Sequence, residues 1–92
     1  VADMTTLLIG LKEYHETLSR QLIKVRQEFQ QVENRWQALS SVYEGTAADE
    51  FRRHWHRTVT NFEEYIDRTQ QIAAALQERI EALQEADNAV GL

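Results

Sequence analysis

Apolar residues in this chain recur at alternating steps of three and four along two long stretches, and a single run of turn-forming residues separates them. The first series is Leu8, Leu11, His15, Leu18, Leu22, Val25, Phe29, Val32, Trp36, Leu39 and Tyr43. It predicts a helix over about residues 4–43, because 3.6 residues per turn bring these positions onto one stripe with a heptad repeat. The second series is Ala47, Ala48, Phe51, Trp55, Val59, Phe62, Ile66, Thr69, Ala73, Leu76, Ile80 and Leu83. It predicts a second helix over about residues 47–89. Two successive steps of four, Phe51 to Trp55 to Val59, read as a stutter that unwinds the supercoil near the turn.

Between the two series lies Val42-Tyr43-Glu44-Gly45-Thr46-Ala47-Ala48. Gly45 can adopt the left-handed conformation that ends a helix, and the Thr46 hydroxyl can accept a backbone N–H to begin the next. Asp49, three residues on, is placed to complete a capping box. The turn is therefore expected at about residues 44–46, and the fold class is all-α, an antiparallel helix-turn-helix hairpin. No proline and only three glycines interrupt it. Asp3 is a candidate cap for the first helix, while Gly10 weakens its first turns by about 1 kcal/mol and predicts fraying there.

Leu11, Leu18, Leu22, Val25, Phe29, Val32, Trp36 and Leu39 on the first helix are the expected core of the hairpin and its dimer, with Phe51, Trp55, Phe62, Ile66, Leu76 and Ile80 on the second. Leu7, Tyr14, Ile23, Val42, Tyr65 and Ile72 lie just off this seam, and Ala75 broadens it further. Two helices packed only on each other leave half of each stripe wet, so a lone 92-residue hairpin is a marginal single domain. A partner hairpin that completes a four-helix bundle solves this. A second copy, giving a homodimer, is the expected partner; a heterodimer with a related hairpin is the alternative.

Other classes are disfavoured on chemistry. There is no cysteine, hence no disulfide or thiolate. Apolar runs such as Leu7-Leu8-Ile9 are far too short for stable membrane insertion, and Val1-Ala2-Asp3 lacks the basic start of a secretory signal. A net charge of −5 opposes nucleic-acid binding. His54 and His56 bracket Trp55 but point roughly 200° apart on a helix, which disfavours chelation. Glu13 precedes His15 by two and Glu50 precedes His54 by four, so the Glu-x-x-His motif of di-metal bundles is missing. No metal, cofactor or catalytic constellation is expected, and the chain does not read as an enzyme. His15, in the seam, reads as a register-fixing partner or as a pH-sensitive interface residue. Arg52, Arg53 and Arg57 with His54 and His56 form one basic patch around Trp55. It reads as solvated surface or as a docking patch for an acidic protein; Glu63, Glu64 and Asp67 beside it oppose nucleic acid.

Tyr43-Glu44-Gly45, followed by Thr46-Ala47-Ala48 and Phe51, resembles the turn of the WXG family of roughly hundred-residue helical hairpins, the early-secreted-antigen type of type VII secretion substrate. Tyr43 stands where that family's tryptophan does. The resemblance extends over nearly the whole chain. The family's tail signal is Tyr-x-x-x-Asp/Glu; here Leu83-Gln84-Glu85-Ala86-Asp87 keeps the acid with leucine in the tyrosine's place, and Val90 adds an apolar residue. The resemblance implies a secreted effector or secretion partner, exported as a folded dimer by a dedicated secretion ATPase. It implies no cleaved signal peptide and a cytoplasmic stage before export. Tyr43 and Gly45 would form half of a composite recognition surface, and Leu83, Asp87 and Val90 of the partner chain the other half. The alternative function is an intracellular helical interaction or adaptor module.

Overall fold

A computed structural model gives the fold, and the structure describes residues 2–90. Two helices, α1 (Ala2–Ser40) and α2 (Thr46–Val90), fold back on each other as an antiparallel hairpin measuring 70 × 17 × 14 Å. Its radius of gyration is 20.6 Å, against about 12 Å for a compact globule of this length. The expected all-α hairpin is therefore present as an extended rod. Asp3 lies inside the first turn of α1 rather than capping it, and the helix runs unbroken through Gly10.

α1 ends at Ser40, about three residues before the end its seam predicts, and side chains satisfy its terminal carbonyls. The last four carbonyls of any helix lack intrahelical donors. Here the Ser40 and Ser41 hydroxyls donate to the carbonyls of Gln37 (3.0 Å) and Ala38 (2.9 Å). The amides of Val42 and Tyr43 both donate to the Leu39 carbonyl at 3.1 Å. Arg52, reaching across from α2, donates to the Ser40 carbonyl at 2.8 Å and also to that of Tyr43. α1 has no basic residue in its own last turn, so this guanidinium supplies the positive charge that its dipole favours.

Gly45 takes φ of 111°, as the turn reading requires. It also takes the cap position expected of Thr46: its carbonyl accepts the Asp49 amide at 3.0 Å, the first bond of the helical ladder, and α2 begins at Thr46 itself. Asp49 turns forward to pair with Arg52 at 2.9 Å instead of closing a capping box.

The seam departs from the expected one in both helices, and always near the turn. In α2 it runs Ala48, Arg52, Trp55, Val59, Phe62, Ile66 and onward in regular steps of four and three, so the expected stutter is absent. Arg52 holds the position assigned to Phe51, which is 46% exposed and packs its ring on Trp36 at a centroid distance of 4.4 Å. In α1 the irregular step falls between Phe29 and Glu33; the seam then continues through Trp36 and Ser40. Val32 and Leu39, expected in the core shared by hairpin and dimer, lie off the hairpin seam and are 51% and 54% exposed. A 3.5-residue repeat drifts about 20° per heptad on a straight helix, and one extra step of four cancels that drift. The indole of Trp55 sets where it happens: a seam-facing N–H needs an acceptor, and the Glu33 carboxylate accepts it. Phe29 stacks between Trp55 (5.5 Å, 9°) and Phe62 (3.9 Å, 6°) just before the shift.

Farther from the turn the expected seam holds. Leu8, Leu22, Ile66, Ala73 and Ile80 are buried, with Leu11, Leu18, Val25 and Leu76 half-buried between them. Lys12 donates to Gln84 at 2.7 Å across the open end.

Candidate functional site

The two long sides of the hairpin differ in chemistry. On one side Arg26, Gln30, Glu33 and Gln37 of α1 and Glu63 of α2 rim a groove of about 450 Å³ floored by Phe29, Val59 and Phe62. Lys12, Gln77, Glu81 and Gln84 continue that polar side toward the open end. At about 100° per residue, the opposite side of the seam carries Leu7, Tyr14, Val32 and Leu39 on α1 with Phe51, Tyr65 and Ile72 on α2. All seven are exposed. They form one apolar face along the rod, with half-buried Leu18 and Val25 at its centre. Ile23, grouped with these residues from sequence, is exposed but points away from this face. Val32, Leu39 and Phe51 join the face because the seam shifts displaced them from the core. Periodicity alone could not place them there, since it counts apolar residues and the true seam positions are Glu33 and Arg52.

The two halves of the expected recognition surface sit at opposite ends of the rod. Tyr43 lies in the turn, 40% exposed, with its carbonyl bound by Arg52 and Gly45 two residues on. Leu83 and Asp87 lie in the last turns of α2, half-buried on the side of α1, while Val90 is exposed. From Gly45 to Leu83 the helix rise amounts to roughly 55 Å. One hairpin therefore cannot bring the two together.

The basic patch is also resolved. Arg52, Arg53, His56, Arg57 and Thr60 line an open depression of about 550 Å³ on the outer side of α2. Only Arg52 of its arginines is in an ion pair among the described residues. His15 is half-buried in the seam. Among the described residues no three His, Cys, Asp or Glu side chains converge as a metal site.

A family model described as proteins of 100 residues with WXG, WXG100, matches residues 10–88, from the third turn of α1 through the tail of α2. The chain belongs to the WXG100 family. The match spans both helices and the turn that carries Tyr43-Glu44-Gly45. The family is known for type VII secretion substrates, which are small helical proteins and not enzymes. No curated protein and no solved structure matches the chain. Among the described residues no helix is long and apolar enough to cross a membrane.

Proposed function

We propose that this WXG100 hairpin is a non-enzymatic secreted effector or secretion partner that pairs with a second copy through its apolar face and is exported as a folded dimer by a type VII secretion ATPase. The observation that carries the reading is the uncovered apolar face on a chain of this family. The chain exposes 7260 Å², whereas a globular monomer of its mass exposes about 5,500 Å². The excess is about twice the roughly 800 Å² that each partner contributes to a standard protein interface. A second hairpin laid antiparallel on this face brings Tyr43 and Gly45 of one copy beside Leu83, Asp87 and Val90 of the other, forming the composite surface for the ATPase. Before export the dimer is cytoplasmic, and it leaves without a cleaved signal peptide.

The test is export of the full chain from cells with and without the secretion ATPase. Full-length protein in the medium only when the ATPase is active is the expected result; equal amounts in both strains overturn the reading. ATPase binding should be lost with Gly45→Pro or Asp87→Ala, and unchanged binding by a folded Asp87→Ala dimer would remove the tail from the mechanism. Leu83, in the place of the tail tyrosine, favours a second reading as an intracellular interaction module. Retention of all the protein inside cells that export other substrates selects it.

A further inference from the structure

The outer side of α2 carries charge of opposite sign at its two ends. Near the turn Arg53, His56, Arg57 and Thr60 follow one another at steps of three, one and three and line the open depression there. Near the open end Glu78, Glu81 and Glu85 recur at steps of three and four. At about 100° per residue the two groups project within roughly 40° of each other. All these charged side chains are exposed. Among the described residues Arg53, Arg57, Glu78 and Glu85 form no ion pair, and Glu81 only accepts the Gln77 amide at 3.0 Å.

We propose that this outer face of α2 docks, antiparallel, on the same face of a second copy, with the arginines of each turn end on the glutamates of the other's open end. The face is self-complementary in the way a twofold contact requires. With Arg57 set opposite Glu81, Arg53 falls opposite Glu85 and Thr60 opposite Glu78, and the twofold repeats each pairing. Each arginine pair and each glutamate pair spans about 6 Å along its helix, so the spacings match. Around the midpoint the face carries Gln70, Gln71 and Ala74, neutral and small enough for close approach. Asp67 meets Gln71 and Glu64 meets Ala74 in this register, so no like charges oppose each other. A parallel arrangement would set arginine on arginine and glutamate on glutamate.

This face lies on the side of α2 away from Phe51, Tyr65 and Ile72, so it and the apolar face can be occupied together. Two distinct twofold contacts on one chain join pairs into tetramers or rows. Exposed ion pairs are individually weak and are screened by salt, which makes the contact dependent on ionic strength. Apolar association has no such loss with salt.

The experiment is light scattering on the full chain in about 0.02 M and about 0.5 M salt, where the screening length falls from about 20 Å to about 4 Å. The expected mass at low salt is at least about twice that at high salt. Arg53→Glu/Arg57→Glu and Glu81→Arg/Glu85→Arg should each keep the high-salt mass in both buffers, with unchanged helicity. An equal mixture of the two variants should regain the low-salt doubling. A wild-type mass that ignores salt, or a mixture that stays dissociated, overturns the proposal. So does a polyglutamate peptide that binds the wild type while the protein's own mass stays constant, since the occupant is then an acidic partner. Val32→Glu/Ile72→Glu tests the apolar face separately, because its effect should appear in both buffers.

Discussion

At the residue scale, two charged side chains do work that the apolar pattern assigns to their neighbours. Arg52 closes the turn by binding the Ser40 and Tyr43 carbonyls while paired with Asp49. Arg52→Ala leaves those carbonyls without their cross-turn donor and should cost about 1–3 kcal/mol in urea unfolding. Arg52→Lys should recover part of that, since an ammonium lacks the planar fork that reaches two acceptors at once. Gly45 poses a different constraint. A Cβ there meets nothing within 4 Å, but φ of 111° lies beyond the left-handed well open to L-residues, so Gly45→Ala should cost about 1–3 kcal/mol through backbone strain alone. A thermal midpoint lowered by at least about 4 °C checks this. The glycine was legible because turn chemistry is local. Arg52 and Glu33 were not, because a charge on a seam position looks like a solvated residue until its carbonyl or indole partner is known.

At the scale of the elements, the extent and direction of both helices were readable, and the phase near the turn was not. Val32 kept the heptad spacing intact on paper and Phe51 departed from it by a single extra step of four, yet each sits one residue before the position that faces the other helix. Hydrogen bonding settles the matter. Trp55 requires an acceptor, Glu33 supplies it, and the remainder of α1 rotates accordingly. Glu33→Leu should therefore destabilise the hairpin by about 1–3 kcal/mol despite adding apolar surface, because it leaves the indole N–H unpaired. Glu33→Gln retains an acceptor and should cost less than half as much in the same urea titration. The tail positions were legible only as letters of a motif; that Leu83 and Asp87 lie half-buried against α1 depends on the register of the pair.

At the scale of the molecule, the charge is as unevenly distributed as the apolar surface. The candidate site was half legible: off-seam Leu7, Tyr14, Tyr65 and Ile72 could be seen to need cover, whereas Val32, Leu39 and Phe51 joined them through the phase shift. In about 0.5 M salt, Val32→Glu/Ile72→Glu should reduce the mass of the assembled protein to that of a single chain in light scattering. Ile23→Glu, on the other side of the rod, should leave it unchanged. Helicity of the wild type should fall on dilution as pairing is lost, which circular dichroism across a concentration series would follow.

The 70 × 17 × 14 Å outline also governs how any of these species moves through a solvent. A body about four to five times longer than it is wide experiences more drag than a sphere of equal mass. A single hairpin will therefore emerge from a sizing column early, at the position of a larger globular protein. Its tumbling will be anisotropic as well, slow end over end and fast about the long axis. Stoichiometry inferred from elution volume would count one chain as two, so only methods that weigh the particle independently of its friction can count the copies.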